Sequence, residues 1–254
     1  MIAALSIGIA AAAGADVGAR VAAAAEAAGL HALWVNDTPG HDALAVLAAA
    51  AGATERLVLA TGVLPIDRRT PDDILAGAAG IPADRLMLGI GSGQLRSGAV
   101  ESVTDAATAL RARTEARVVV GALGPRMRRA GAEASDGLLL SWLTPKIAAE
   151  QARRAHERAG AAHVALYVRT AADPAATAAL DEEARRYTGY PAYAANFARL
   201  GVEAADTVIR PVALRDRIAA YRAAADEVVL RAITASGSLD EHLRFIDAVR
   251  GAVA

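Results

Sequence analysis

The chain has 254 residues, of which 54% are hydrophobic and only 4% aromatic, and its formal net charge at pH 7 is -1. A charge this close to zero offers no electrostatic footprint for nucleic acid or for an anionic membrane. The sequence contains no cysteine, which excludes disulfides and thiolate metal sites. No charge-free apolar run reaches the ~18 residues that a membrane helix needs, so we expect a cytoplasmic protein.

Short apolar runs recur along the whole chain and alternate with helical patterns. The runs are mostly continuous, which is typical of parallel strands buried on both faces. We predict strands at residues 2–9, 32–35, 57–61, 85–90, 118–120, 138–142, 163–170 and 227–233. We predict helices at residues 15–28, 42–51, 70–79, 100–113, 126–134, 144–159, 174–187, 213–225 and 239–249. The first run has no basic residues ahead of it, so we interpret it as a strand and not as a signal peptide.

This alternation predicts the fold class. Eight strands, each followed by a helix, is the count of a closed (β/α)8 barrel, and about 250 residues is its usual length. We therefore expect one barrel domain over residues 1–254. The main alternative, an open doubly wound sheet, requires G-x-G-x-x-G after its first strand. The nearest match follows strand four and has Gln94 in place of the third glycine, so the barrel is favoured.

The stretch GALGP after the fifth strand predicts an anion site. Pro125 stands where the first helical residue should be, and Gly121 and Gly124 precede it. Free backbone N–H groups at such a helix start can bind phosphate, although the two glycines could also serve only to shape the turn. Arg126, at the helix start, could assist an anion.

In a barrel the active site lies at the carboxyl ends of the strands, so the residues after each run are candidates. These candidates are Asn36, Asp37 and Thr38, then Thr61, Gly62 and Val63, then Gly91, Ser92 and Gln94, then residues 122–125, and finally Ser141, Trp142 and Thr144. Asn36 and Asp37 could also simply cap a turn, and Trp142 could be either a core aromatic or the wall of a flat ligand's site. The five histidines show no metal-ligand spacing, and no G-x-S-x-G elbow occurs. A bound organic cofactor is therefore the favoured source of chemistry.

Several of these segments resemble a known family. The run LHALWVNDTPGHDALAVLAAAAGATERLVLATGVLP resembles the second and third strands of the bacterial luciferase-like superfamily. RLMLGIGSG is similar to its fourth strand, and VVVGALGPRMRRAGAEASDGLLLSWLTP to its fifth and sixth. The pattern is most similar to the branch that uses the deazaflavin coenzyme F-420, which includes methylene-tetrahydromethanopterin reductase.

The resemblance implies a cofactor site. A flavin-like ring would lie against strand three, where family members carry a non-prolyl cis peptide at the position of Gly62–Val63. The coenzyme phosphate would lie near Ser92 and the stretch Ala122, Leu123, Gly124, Pro125. Asn36, Thr61, Gly91, Arg126 and Trp142 complete the cofactor-binding set that we predict, with no metal.

Two departures from the family pattern bear on activity. Asp37-Thr38 stands where several deazaflavin enzymes have Asp-His, so the usual histidine acid or base is missing. The segment between Gln94 and Val118 is short, whereas family members insert a long lid after strand four. The pocket is then open, or is completed by a partner subunit or by the tyrosine-rich region 187–197.

We predict an F-420-dependent oxidoreductase that transfers a hydride between the cofactor and a small organic substrate. Asp37 is the candidate for a proton or hydrogen-bond role, together with Thr38. An FMN-dependent monooxygenase, which would need a flavin reductase as partner, is the alternative within the same class. A non-catalytic flavin or deazaflavin binder is the alternative from another class. The family habit of dimerising suggests a homodimer.

Overall fold

The computed structural model describes residues 2–253. Its eight long strands are β1 Ala4–Ala10, β2 Ala32–Asn36, β3 Val58–Thr61, β4 Leu86–Gly91, β5 Arg117–Gly121, β6 Gly137–Ser141, β7 His163–Thr170 and β8 Glu227–Ala232. All neighbouring strands are parallel, in the order β3-β2-β1-β8-β7-β6-β5-β4. The sheet closes because β3 also pairs with β4, with Leu59 opposite Leu86. The prediction of a closed (β/α)8 barrel is confirmed.

Ten α-helices cover the described part of the barrel. They are α1 Gly14–Ala27, α2 Ala43–Gly52, α3 Pro71–Ala78, α4 Ala99–Arg111, α5 Pro125–Ala134, α6 Pro145–Arg158, α7 Thr177–Thr188, α8 Pro191–Leu200, α9 Leu214–Arg222 and α10 Leu239–Val253. The tyrosine-rich region was not predicted to be helical, yet α8 lies there. Its sequence carries the usual limits of a helix, with Pro191 at the first position and Gly201 in the left-handed conformation after the last.

The chain between β4 and β5 holds a single helix, α4, in agreement with the short segment that the sequence indicated. A two-residue strand, Leu64–Pro65, was not predicted. It continues from the end of β3 and pairs with the carboxyl end of β4.

Alternate residues of each strand divide the core into two layers. The larger layer lies between strands and helices, where small residues let the helices approach closely. At Gly18 of α1, for example, a Cβ would lie 2.3 Å from Cγ1 of Val46 on α2. The second layer fills the barrel interior and consists of Ala32, Trp34, Ala60, Met87, Val119, Leu139, Ala165, Tyr167 and Val229.

At the amino ends of the strands the interior is polar and closed by hydrogen bonds. Oε1 of Glu227 accepts from Ser6 Oγ at 2.5 Å and from Trp34 Nε1 at 2.6 Å, and its Oε2 lies 2.8 Å from His163 Nε2. Burial alone would raise the pKa of Glu227, but His163, Ser6 and Trp34 outweigh burial and hold it below its ordinary value. Glu227 therefore stays ionised inside the barrel.

No helix formed by residues 2–253 has the length and apolar character needed to cross a membrane. Within the same residues, no group of three or more potential ligands is placed to hold a metal ion.

Candidate functional site

The carboxyl ends of the strands form a small and polar layer above the apolar interior. Its positions follow from the alternation of the strands, since they share the face of the interior side chains and lie nearer the carboxyl ends. They are Asn36, Gly62, Gly91, Gly121, Ser141, Arg169 and Arg231. We call this layer the mouth of the barrel. One part of its rim carries glycines and a serine, and the other carries an amide and two arginines.

Asn36 joins the two parts of the mouth. Its Nδ2 donates to the carbonyl oxygen of Gly62, and its Oδ1 accepts from the Tyr167 hydroxyl at 2.6 Å and from Arg231 Nε at 3.0 Å. Burial raises the pKa of Tyr167 to about 12, so its hydroxyl remains a donor at neutral pH. Asn36 lies where the sequence predicted, and its contacts fix the backbone of β3 and two side chains of β7 and β8.

The Gly62–Val63 peptide bond is cis, as the resemblance implied. The Val63 side chain leans across the mouth over strands β4 and β5. A Cβ at Gly91 or Gly121 would lie only 2.7 Å or 2.8 Å from a methyl group of Val63. The Val63 side chain therefore leaves little room for a side chain at Gly91 or Gly121. Together the three residues form a low, partly exposed surface, which we call the floor.

Thr61 makes structural contacts below the mouth, and its cofactor-binding role stays a prediction. Its hydroxyl donates to Gly89 O at 3.0 Å and accepts from Gly89 N at 2.9 Å, and the residue is fully buried. It ties β3 to β4, where the barrel closes.

Asp37 and Thr38 leave the interior face after β2. The buried carboxylate of Asp37 lies 3.0 Å from Arg69 and 3.3 Å from Arg68, and it accepts from Ala43 N at 3.1 Å. These contacts hold the loop before α2. The Thr38 hydroxyl is buried and finds no hydrogen-bond partner among the described residues. A catalytic role for either residue stays a prediction, and for Asp37 the contacts favour a positioning role.

The amino end of α5 is open, as the anion hypothesis requires. Gly124 caps the helix without a side-chain hydrogen bond, Pro125 is the first helical residue, and Arg126 is exposed. Nothing lies within 4 Å of where a Cβ on Gly124 would be. By contrast, the amino end of α3 carries a capping box formed by Thr70 and Asp73.

Positive charge gathers near this helix end. Arg128 Nη1 donates to Leu123 O at 2.5 Å. Burial, together with the neighbouring charges of Arg199 and Arg154, lowers the pKa of Arg128 to about 10. An uncapped helix start beside the Arg128 side chain is a favourable place for a phosphate. Ala122 and Ser92 lie on the same side of the barrel, on the loops after β5 and β4.

The loop after β8, where many barrels bind phosphate, is occupied by the protein itself. Oε2 of Glu241 accepts from Ser236 N and Oγ, both at 2.9 Å, and from Ser238 N at 3.3 Å. The Ser236 amide is the main cause that lowers the pKa of Glu241. This carboxylate already takes the donors that a phosphate would use.

Trp142 closes one side of the mouth and is only 1% exposed. Its ring centroid lies 4.7 Å from that of Tyr187 and 5.8 Å from that of Phe197. Its φ of 57° is left-handed, a strained value that concentrates at functional sites. Trp142 is thus buried, and Tyr187 and Phe197 pack against it. Its role as the wall of a ligand site stays a prediction.

Two residues of the mouth, Arg169 and Arg231, and the interior residue Tyr167 below them were not predicted. Arg169 and Arg231 stand in otherwise apolar strands, HVALYVRT and EVVLRA. A charged residue near the carboxyl end of a buried strand was the signal that could have identified them.

Comparison with known proteins supports the resemblance seen in the sequence. The model of the family described as luciferase-like monooxygenase matches residues 6–97. A search of curated proteins found no significant match.

Solved structures match over nearly the whole chain. An F-420-dependent secondary alcohol dehydrogenase in complex with an F-420-acetone adduct has a TM-score of 0.73 at 14% identity, covering 98% of this chain and 99% of that chain. The coenzyme F-420-dependent tetrahydromethanopterin reductase from Methanopyrus kandleri has a TM-score of 0.67 at 15% identity, with 98% of each chain covered. The oxygenating constituent of 3,6-diketocamphane monooxygenase from Pseudomonas putida, in complex with FMN, has a TM-score of 0.65 at 14% identity, covering 99% of this chain and 98% of that chain.

Proposed function

We propose that this luciferase-like chain is an oxidoreductase that binds coenzyme F-420 and transfers a hydride between it and a small organic substrate. The observation that carries the proposal is the low floor of Gly91, Gly121 and Val63 beside the uncapped amino end of α5. A flat ring and a phosphate need these two features side by side.

The floor supports a ring because it is flat and largely apolar. Val63 and Gly121 are only partly buried, and Asn36 holds the Gly62 carbonyl in a fixed position beside them. A floor held this rigidly orients a ring without large rearrangement, which favours reaction between two bound partners.

The end of α5 supports a phosphate for an independent reason. Its free N–H groups and the positive end of the helix dipole attract an anion, and Arg128 lies within one turn of the helix start. An anion here would also relieve the repulsion among Arg128, Arg199 and Arg154.

The cofactor, when bound, would supply the hydride chemistry, and the protein would supply placement. Through its hydrogen bonds with Tyr167 and Arg231, Asn36 would hold the polar part of the mouth in a fixed position relative to the floor. Asp37 would hold the loop after β2 through Arg69. Hydride transfer needs geometry more than a side-chain acid, so the missing histidine does not by itself abolish it.

FMN is the second candidate cofactor, since F-420- and FMN-binding proteins are both among the structural neighbours. With FMN the protein would be a monooxygenase and would require a flavin reductase. A homodimer is also proposed, by likeness to the family alone.

Titration with F-420, FMN and riboflavin tests the proposal. We expect saturable binding of F-420, and weaker binding of riboflavin than of FMN because riboflavin lacks the phosphate. Turnover with reduced cofactor under anaerobic conditions and in air then separates hydride transfer from oxygenation. If neither F-420 nor FMN binds, the proposed function is wrong; if F-420 binds but supports no turnover, the chain is a non-catalytic binder.

A matched pair of glycine substitutions locates the ring. Gly121→Ala places a methyl group against Val63 and should weaken cofactor binding about tenfold through overpacking. Gly52→Ala adds a methyl group where nothing lies within 4 Å, so it should bind the cofactor like the wild type. Equal affinities for the two variants would place the ring elsewhere.

A further inference from the structure

Two arginines stand side by side at the mouth. Arg169 on β7 and Arg231 on β8 are direct partners in the register of the two strands, and both follow interior positions of the barrel. Neighbouring like charges on one face of a sheet repel each other unless an anion lies between them.

Arg169 is buried with part of its hydrogen-bonding capacity unused. The residue is 5% exposed, and its Nε and Nη1 find no acceptor among the described residues. The nearest carboxylate oxygen, of Glu183, lies 3.7 Å from Nε, and Glu183 also binds Arg186. Unsatisfied buried donors each cost about 1–3 kcal/mol, so their presence calls for a reason.

A third unused donor belongs to the same cluster. Trp142 Nε1 is buried and has no acceptor in the described part of the chain. The guanidinium carbon of Arg169 lies 4.2 Å from the centre of the Trp142 ring and 4.7 Å from that of Tyr187. Donors with no acceptor and flat apolar rings thus occur together.

Arg231 adds charge without adding an acceptor. Its Nε donates to Asn36 and its Nη1 to the carbonyl of Ala232, and it forms no ion pair with any carboxylate of residues 2–253. The pKa of His242 is lowered mainly by burial and also by the charge of Arg231.

We propose that Arg169 and Arg231 bind the carboxylate of an aromatic acid, which is the substrate of the oxidoreductase. The guanidinium fork matches the two oxygens of a carboxylate, and the rings of Trp142 and Tyr187 suit an aromatic body. The cofactor phosphate has its own place at α5, which follows β5, three strands from β8 in the sheet. The identification as substrate rests on the proposed function, whereas the carboxylate site rests on the arginines alone.

Tyrosines of the α7–α8 connection govern access to this site. Tyr187 makes T-shaped contacts with Tyr190 and Tyr193, with centroids 5.4 Å and 4.8 Å away, and Tyr190 is 44% exposed. The ligand must displace the Tyr187 ring to reach Arg169. The contact between that ring and Arg169 would then be replaced by hydrogen bonds from the unused Arg169 donors to the ligand.

Calorimetric titration with benzoate and its neutral isostere benzamide tests this proposal, with and without saturating cofactor. We expect saturable binding of benzoate and at least about tenfold weaker binding of benzamide. Arg169→Gln and Arg231→Gln should each weaken benzoate at least about tenfold, a loss of ~1.4 kcal/mol. Arg20→Gln, on the exposed face of α1, should bind benzoate like the wild type.

Thermal melting first establishes that the variants fold. Arg169→Lys retains the charge and should bind benzoate more tightly than Arg169→Gln does. Equal binding of benzoate and benzamide, no binding of benzoate in either state, or indifference to both arginine substitutions would overturn the proposal. Arginine-dependent benzoate binding by a chain that binds no cofactor would uphold the carboxylate site and refute the proposed function instead.

Discussion

The two ends of the barrel interior contain similar kinds of side chain but differ in how far these are satisfied. At the amino end, the Glu227 carboxylate receives Ser6, Trp34 and His163, so donors and acceptor balance. At the carboxyl end, Arg169 and Trp142 keep buried donors without acceptors. A balanced network stabilises a fold, whereas an excess of donors indicates a site for a ligand that brings the acceptor. Barrel enzymes show the same division, with stability at one end and function at the other.

The largest effect on stability is expected from Glu227→Ala at the amino end. The substitution leaves three buried donors without their acceptor, which should lower the free energy of unfolding by about 3–5 kcal/mol. Thermal melting should then show a decrease in Tm of roughly 10 °C. Glu227→Gln keeps an acceptor oxygen for Ser6 and Trp34, so its free energy of unfolding should fall clearly less than that of Glu227→Ala. If both variants melt with the wild type, the network does not stabilise the fold.

Lowering the pH should remove the stabilisation that the ionised Glu227 side chain provides. Since the pKa of Glu227 is held below its ordinary value of 4.5, its stabilisation is fully present above that pH and is lost as the pH falls through the lower folded-state pKa. The difference in unfolding free energy between wild type and Glu227→Gln should be constant from pH 7 down to about 5.5 and should close below 4.5. Urea unfolding across this range measures it. A difference that already closes between pH 7 and about 5.5 would contradict the ionised state of Glu227.

A smaller effect is expected from Asp37→Asn, beside the mouth. Weaker contacts with Arg68 and Arg69 should cost about 1–2 kcal/mol, while cofactor affinity should change little. Stability and kcat against pH should be measured on the same variant. A kcat lost at unchanged stability, with an altered pH profile, would instead restore the proton-transfer role predicted from the sequence.

The smallest effect on folding is expected from Arg169→Met. The substitution removes two buried donors that have no acceptor, and Glu183, 3.7 Å from Arg169, keeps its contact with Arg186. The free energy of unfolding should therefore stay within about 1 kcal/mol of the wild type. Urea unfolding of Arg169→Met and of Glu227→Ala, measured under the same conditions, gives the two free energies of unfolding. A loss as large as that of Glu227→Ala would make Arg169 a structural residue and would remove the difference between the two ends.

Most of the barrel could be predicted because its signals are local. Continuous apolar runs and capping residues mark the strands and helices, and the helix start at Pro125 is visible in five residues. Helix α8 was missed because it lies in a tyrosine-rich stretch that resembles a loop sequence. Tyr187 and Tyr193 of this stretch acquire an apolar environment only by packing against the cluster that contains Trp142.

The site was predictable only in part because it depends on long-range register. Asn36 and Gly62 follow directly from strand ends, and the contact between them confirms their proximity. The pairing of Arg169 with Arg231, 62 residues apart, depends on how β7 and β8 align. Likewise, Asp37 pairs with Arg69, which lies in the loop that follows another strand. No spacing in the sequence reveals this contact.

Titration of the purified chain with coenzyme F-420, followed by the change in cofactor fluorescence, tests the central claim that the carboxyl end of the barrel is the ligand site. The account predicts saturable binding to wild type and to Glu227→Gln with the same affinity, and about tenfold weaker binding to Gly121→Ala. Absence of saturable binding to the wild type, or a loss of affinity caused by Glu227→Gln and not by Gly121→Ala, would contradict it.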